Sequence, residues 1–504
     1  MTNAPLRTAL SRASSFLRLS PRVLVGLETA LAASLGLIAL GHRSYWLDES
    51  VSVTLARLHF GDLLHSLRVR EGNMSLYHLL LWGWLRPGDS EFAARSLSLL
   101  AVVATVPLLY LLARRLLGQK AALLAGLLLA LNPMAIHYAQ EARGYALCLL
   151  LVTASVYLFV RALEQPRWLF WLGFAPVAAL AGYAHFFALF VPPALLLSLL
   201  FLPAEAVPWR KGLSSAGLFV LLLVPLVYLV GSSQASGVEW ASGNLPGRIA
   251  TRIHDRPLLV VAVLLFGLAF VALAWFWLAR ALGPRLRSRA TWAVALLVLW
   301  LLVPFALVCV LAVVYKPLFV VRYFIVCLPP LVTLLALALA RIRRPLLALG
   351  AVSLLALVSL AGVVRWYQSG QSEDWRGAEH YVVESARPGD GVLFYAPYVR
   401  IPFALYLERA GDSGRAPRPV YPGDGWNANE LKFDGNIVMR ARLVRERAAG
   451  FRRIWLVTSH QELYGASDPG YEATLAGLKA AGLRESGSRS FAGVRVARYA
   501  RPGH

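Results

Sequence analysis

The chain has 504 residues, of which 58% are hydrophobic and 15% are charged. A soluble protein of this length could not bury so much apolar surface, so the lipid bilayer must solvate most of it. The formal net charge of +23 would suit a nucleic-acid partner, but the basic residues lie in short runs between apolar segments, so we expect no nucleic acid.

Apolar runs that are long enough to cross a bilayer recur along most of the chain. A spanning helix needs roughly 20 apolar residues. The first run follows several arginines and has no small-residue cleavage site after it, so we interpret it as a retained span rather than a signal peptide. The predicted spans, eleven in number, are residues 23–41, 94–112, 121–137, 145–161, 168–183, 186–203, 213–231, 257–279, 291–314, 323–340 and 345–364.

Lysine and arginine mark one side of these spans, as the positive-inside rule requires of cytoplasmic loops. When the N-terminus is placed inside, every loop assigned to the cytoplasm is basic, for example 341–344. The long connection 42–93, the short stretch 138–144 and the C-terminal tail then lie outside. We expect helices lying in the membrane interface within 42–93.

The composition changes to that of a soluble domain after residue 364. Apolar strand-like runs at 392–395 and 454–457 alternate with helix-like segments, which predicts a small α/β domain with a partly parallel sheet over 365–504. The membrane domain is then 1–364. The predicted helices of the tail lie near 375–386, 398–410, 438–449 and 470–482.

Asp48 and Glu49 are adjacent acids directly after the first span, where desolvation would be costly without a partner or a chemical role. Neighbouring helical residues point about 100° apart, so both carboxylates cannot face one substrate atom. We assign the chemistry to Asp48 and expect Glu49 to pair with a cation or a backbone donor. The alternative is that both are solvated acids in the first turn of a helix, where negative charge is favourable.

Two further polar clusters are predicted on the same side of the membrane. In the first, a helix would pair Glu141 with Tyr145 and Gln140 with Arg143, although an interfacial turn with a local ion pair is an equal alternative. In the second, Lys316 and Arg322 bracket an apolar link, and a guanidinium matches phosphate oxygens. Snorkelling of Lys316 to lipid headgroups is the alternative there.

Metal and disulfide chemistry receive little support from the sequence. Cys148, Cys309 and Cys327 all lie in apolar stretches, and the outer histidines, His137 among them, have no ligand spacing. We therefore predict no metal site, while the outer acids leave room for a bridging divalent cation.

Several short motifs, taken in order, resemble the GT-C superfamily of polytopic glycosyltransferases. Within it the chain is similar to bacterial relatives of dolichyl-phosphate-mannose protein mannosyltransferase and of the lipid A aminoarabinose transferase. The motifs are Leu47-Asp48-Glu49-Ser50, Glu91-Phe92-Ala93-Ala94-Arg95, Tyr138-Ala139-Gln140-Glu141-Ala142-Arg143-Gly144-Tyr145, Arg322-Tyr323-Phe324 and Glu373-Asp374-Trp375-Arg376.

The resemblance implies transfer of a sugar from a polyprenyl-phosphate donor to an extracytoplasmic glycan, lipid or protein, in the inner membrane of a bacterium. It also implies that an acid of the first outer loop is catalytic, and Asp48 occupies that position. The candidate catalytic residues are therefore Asp48 and Glu49. The candidate substrate-binding residues are His137, Gln140, Glu141, Arg143, Tyr145, Lys316, Arg322 and Tyr323.

Two other classes of protein share part of this pattern. A lipid or solute transporter or flippase also has many spans, but transporters usually place ionisable groups near the bilayer midplane, whereas these candidates lie at outer span ends. A non-catalytic assembly subunit would tolerate substitution of Asp48 or Arg322. We therefore predict an inverting glycosyltransferase with Asp48 as general base.

Overall fold

The computed structural model describes residues 20–69, 72–232, 288–314, 320–369, 373–421, 440–459 and 468–502. Within these ranges, six helical segments are long and apolar enough to cross a membrane. The predicted α-helical polytopic body is confirmed, but the number of eleven spans is not. The predicted span 257–279 lies outside the described residues.

The N-terminal part consists of a first apolar helix and three short helices of the connection 42–93. Helix α1 (Pro21–Leu37) is followed by α2 (Leu47–Arg57), α3 (Phe60–Val69) and α4 (Ser75–Trp84). Most side chains of α2 are buried, because this helix packs between α4 and the C-terminal tail.

The membrane body continues with helices that are mostly apolar on all sides, as expected for segments solvated by lipid. Short 3₁₀ segments precede some of them, at Phe186–Phe190 and Val321–Cys327, and Val321–Ala340 together is one of the six spanning segments. The helices are α5 (Glu91–Leu117), α6 (Gln119–Ala130), α7 (Pro133–Ala139), α8 (Tyr145–Glu164), α9 (Trp168–Ala184), α10 (Val191–Ser198), α11 (Trp209–Ser232), α12 (Arg289–Val314), α13 (Leu328–Ala340) and α14 (Pro345–Gln368).

The predicted span 121–137 is bent by 54° between α6 and α7. Asn132 accepts hydrogen bonds from the backbone N–H groups of Met134 and Ala135, at 2.9 and 3.2 Å, and Pro133 occupies the first helical position. These are the standard signals of a helix start, so the chain begins a new helix here instead of continuing α6. The bend directs residues 137–145 toward α2.

The tail is an α/β domain, as predicted. Its helices are α15 (Trp375–Ser385), α16 (Arg400–Ala410), α17 (Ala441–Ala448) and α18 (Pro469–Ala480), and its strands are β1 (Gly391–Tyr395), β2 (Arg418–Tyr421), β3 (Arg453–Ser459), β4 (Arg484–Phe491) and β5 (Val494–Ala500). The strand order is β2-β1-β3-β5-β4; β1 is parallel to β2 and β3, whereas β5 is antiparallel to β3 and β4.

Side chains alternate across the sheet, as strand geometry requires. In β1, Val392 and Phe394 face the core that is continuous with the membrane body, while Leu393 and Tyr395 face a second core under α17 and α18. The first face is covered by α15 and α16, and α16 in turn packs on α2. The tail therefore rests directly on α2, the helix that carries Asp48.

Candidate active site

The carboxylate of Asp48 lies between two guanidinium groups that belong to other parts of the chain. Its Oδ2 atom is 3.7 Å from Nη2 of Arg143 and 3.7 Å from Nη1 of Arg322. The side chains are 25%, 11% and 21% exposed, respectively, so the group is largely but not fully removed from water. These distances exceed those of hydrogen bonds, so the pairs are held by charge rather than by close contact.

Three separate elements supply these residues. Asp48 is the second residue of α2, Arg143 lies in the turn 140–144 between α7 and α8, and Arg322 lies in the 3₁₀ segment before α13. Arg143 also contacts Ser52 and the backbone oxygen of Asp48, at 3.4 and 3.5 Å. Asp48, Arg143 and Arg322, which are far apart in the sequence, are thus neighbours in space.

Glu49 is fully engaged inside the protein. Its carboxylate accepts a bidentate pair of hydrogen bonds from Arg95, at 2.8 and 2.7 Å, and a third from the backbone N–H of Ala142 at 2.8 Å. The Glu49 side chain is 1% exposed. Arg95 also donates to the carbonyl oxygens of Leu40 and Ser44, so the pair joins α2, α5 and the end of the first span.

Glu141 and His137 form a second acidic and aromatic group beside Arg322. The Glu141 carboxyl is buried and lies 3.7 Å from Nε2 of His137. Burial, reinforced by the negative charge of Glu49, raises the pKa of Glu141 to about 8. A carboxyl with this pKa carries a proton at neutral pH and can donate a hydrogen bond.

Both polar atoms of the Gln140 side-chain amide form hydrogen bonds within the protein. Its Nε2 donates to the carbonyl oxygens of Gly36 and Ile38, at 3.0 and 2.7 Å, and its Oε1 accepts from the Trp366 indole at 2.8 Å. Trp366 also stacks on His137, with ring centroids 3.8 Å apart. Gln140 therefore links α1 to the C-terminal end of α14.

Aromatic rings surround the Arg322 guanidinium. The ring centroids of Trp46, Tyr145 and Tyr323 lie 5.8, 6.0 and 5.9 Å from its central carbon. Tyr323 stacks on Phe187 at 4.4 Å. Such rings attract a cation and exclude water, which strengthens the field that Arg322 exerts on an anion nearby.

A cavity of about 280 Å³ opens next to this group. Asp48 is not among its lining residues and lies beside it, through its contact with Arg322. The lining is polar and charged on several sides. It comprises Ala39, Leu40, Arg43, Ser44, Trp46, Glu49, Arg95, His137, Tyr138, Gln140, Glu141, Arg322, Trp366 and Glu373.

Sequence reasoning missed some of these lining residues. Trp366 follows the last predicted span, and a tryptophan at this position is typical of an interfacial anchor. Arg43 has the pattern of an ordinary basic residue in a loop. Glu373 did carry a signal, because it opens a motif of the resemblance. Lys316 lies outside the described residues. Among the described residues, no group of three or more His, Cys, Asp or Glu side chains is arranged to hold a metal ion.

The fold and site define a polytopic membrane protein with an acid–guanidinium centre at the ends of its helices, beneath an α/β tail. A family model described as dolichyl-phosphate-mannose-protein mannosyltransferase matches residues 76–230. A search of curated proteins found no match.

Solved structures with the same fold extend over nearly the whole chain. ArnT from Cupriavidus metallidurans bound to undecaprenyl phosphate is 13% identical, with a TM-score of 0.55; the match covers 94% of this chain and 97% of ArnT. The archaeal oligosaccharyltransferase AglB from Archaeoglobus fulgidus, in complex with an inhibitory peptide and a dolichol-phosphate, is 11% identical, with a TM-score of 0.52, and the match covers 95% and 74% of the two chains. These matches show that the chain shares the fold of ArnT and AglB, and the family model matches a stretch of its membrane body.

Proposed function

We propose that the protein is a membrane glycosyltransferase that moves a hexose or pentose from a polyprenyl-phosphate donor to an extracytoplasmic glycan, lipid or protein. The observation that carries this proposal is the placement of the Asp48 carboxylate 3.7 Å from each of two guanidinium groups, next to a polar cavity. A base and an anion site are thereby held side by side, which is what displacement of a lipid phosphate from a sugar requires.

Arg322 and Arg143 bind the donor phosphate. A guanidinium presents its N–H groups in a planar fork that matches phosphate oxygens, and a partly buried one binds an anion more strongly than it would in water. The lipid phosphate competes with Asp48 for these cations, which leaves the carboxylate facing the acceptor. The undecaprenyl phosphate and dolichol-phosphate of the two similar structures support this class of donor.

The reaction is a one-step displacement at the anomeric carbon. Asp48 accepts the proton of an acceptor hydroxyl or amine as that group forms its bond to the anomeric carbon. The bond from this carbon to the phosphate oxygen breaks, and the lipid phosphate leaves with the electron pair. Attack from the face opposite the phosphate inverts the anomeric centre. The guanidiniums stabilise the additional negative charge that the phosphate gains.

Glu141 and His137 recognise the sugar. Both line the cavity, and a protonated Glu141 supplies a hydrogen-bond donor where a carboxylate would supply only acceptors. Tyr145 and Tyr323 form the aromatic surround of the phosphate site.

The test is consumption of donor by the purified protein in vesicles that also carry bacterial envelope glycans, lipids and proteins as acceptors. We expect the wild-type protein to consume at least one member of a panel of undecaprenyl-phosphate hexoses and pentoses. Asp48→Asn should lower kcat about 10²–10⁴-fold, since this is the usual contribution of a general base. The matched control is Asp62→Asn, because Asp62 is an exposed acid of the same outer loop.

Two results would contradict the proposal. If the wild-type protein consumes no member of the panel, the donor class is wrong. If Asp48→Asn turns over at the wild-type rate, the donor class stands and Asp48 is not the base.

A further inference from the structure

The segment that leads into α2 is bound to the tail through three hydrogen bonds. The Ser44 hydroxyl donates to the Glu373 carbonyl at 2.6 Å, and the backbone N–H of Tyr45 donates to the Tyr406 hydroxyl at 2.7 Å. The backbone N–H of Leu47, the first residue of α2, donates to Oε2 of Glu373 at 2.8 Å. All three contacts join residues more than 320 positions apart.

Glu373 thus does for α2 what a capping side chain does for most helices. The first N–H groups of a helix lack partners within the helix, and they are usually satisfied by an oxygen of the residue before it. That residue is Trp46, whose side chain has no oxygen. The Glu373 carboxylate, which is 3% exposed, fills this role from another domain, where its charge also suits the helix N-terminus.

The capping carboxylate and its neighbour are themselves held firmly. Oε2 of Glu373 accepts a second hydrogen bond from the Trp375 indole at 2.5 Å. The Tyr406 hydroxyl donates to Glu91 at 2.7 Å, and Glu91 is also paired with Arg409 at 2.9 Å. The tail residues that bind the start of α2 are therefore themselves held in place by further hydrogen bonds and an ion pair.

We propose that Glu373 is a positioning residue for the glycosyl transfer proposed above. It accepts the hydrogen bond of the Leu47 N–H group, and because Leu47 directly precedes Asp48, this bond fixes the position of Asp48. The two arginines that face Asp48 belong to elements other than α2. Any shift of the α2 N-terminus therefore changes the distance from the carboxylate to both of them. A misplacement of about 1 Å in such a site can cost about 100-fold in rate.

Substitutions on both sides of the hydrogen bond test this role. Glu373→Ala removes the acceptor, and Leu47→Pro removes the donor at a position where helices accept proline well. The matched controls are Glu373→Gln, which keeps an acceptor oxygen, and Leu47→Ala, which keeps the N–H group and shortens the side chain.

We expect Glu373→Ala and Leu47→Pro each to lower kcat about 10- to 100-fold on the donor that the wild-type protein consumes, with little change in KM. Glu373→Gln and Leu47→Ala should stay within about threefold of the wild type, a difference of less than 1 kcal/mol. A purely structural role would lower thermal stability in Glu373→Ala and leave kcat of the folded fraction unchanged, and that result would overturn the proposal.

A second readout does not depend on catalysis. In a protein whose native cysteines are replaced, Asp48→Cys places a thiol beside two guanidiniums, which favour the reactive thiolate. We expect it to react with a negatively charged methanethiosulfonate at least about tenfold more slowly after Leu47→Pro is added, and at an unchanged rate after Leu47→Ala. Equal rates would overturn the positioning role even if no donor were found, and a slower rate would support it even if the proposed function failed.

Discussion

The two adjacent acids of α2 have different surroundings because successive side chains on a helix point about 100° apart. Glu49 faces Arg95 and the backbone N–H of Ala142, and Asp48 faces Arg143 and Arg322. Since Ala142 directly precedes Arg143, the hydrogen bond from its N–H to Glu49 also fixes the turn that carries this arginine. Glu49 thereby aligns one partner of Asp48 without being free to act as a base.

We expect the Glu141 carboxyl to make thermal stability depend on pH. Its pKa is raised from 4.5 to about 8 in the folded protein, so between these values the unfolded chain has released a proton that the folded chain retains. Folding stability must then fall as pH rises from 4.5 toward 8. Glu141→Gln removes this titration. At each pH the unfolding temperature of the wild type is subtracted from that of the variant. We expect this difference to increase by several degrees between pH 5 and pH 8.

Tryptophan fluorescence of the detergent-solubilised protein measures this difference at each pH. Glu205→Gln is the control, because it makes the same substitution at an exposed glutamate. A pH-independent difference for Glu141→Gln would mean that Glu141 is ionised in the folded protein.

Among the elements, α5 begins where the tail rests on the membrane body. Glu91 is its first residue, and its side chain is 6% exposed. It pairs with Arg409 and Arg376, at 2.9 and 2.5 Å, and accepts a hydrogen bond from Tyr406. One buried carboxylate of the membrane body thus receives three donors from the tail.

Glu91→Ala should destabilise the contact between the two domains by about 2 kcal/mol, because it leaves partly buried cations and a buried hydroxyl without their acceptor. The measurement is the unfolding temperature together with hydrogen exchange of α16, which should become faster. Glu408→Ala breaks the more exposed pair of Glu408 with Arg57 and is the control, expected to cost less than about 1 kcal/mol. Equal effects of the two substitutions would show that Glu91 does not anchor the tail.

Helices that coincide with long uninterrupted apolar runs were predictable from the sequence. Short helical segments and exposed strands were less predictable. The predicted span 94–112 lies within α5, and 145–161 lies within α8. The run 186–203 is instead divided into 3₁₀ and α segments, which hydropathy alone does not distinguish. Strand β4 was not predicted, because its residues are almost all exposed and show no alternation.

At the scale of the whole molecule, spatial neighbours could be predicted from the sequence only where they share one feature, their position at the end of an apolar run. Asp48, Arg143 and Arg322 were predicted to share a site because each lies near an end of an apolar run that is predicted to face outward. The capping of α2 by Glu373 follows no local rule, since it joins positions 326 apart. Only the packing of the tail on the membrane body creates it.

The distribution of basic residues predicts an orientation in the membrane, which can be tested across a single helix. Arg343 and His380 lie on either side of α14 and are both exposed, while Cys148 and Cys327 are buried. With Cys309 replaced, a membrane-impermeant maleimide should label His380→Cys in intact cells and Arg343→Cys only after the membrane is opened, because basic loops remain in the cytoplasm. Labelling of both from one side would show that α14 does not cross the membrane. The reverse pattern would place the Asp48 site in the cytoplasm and exclude an extracytoplasmic acceptor.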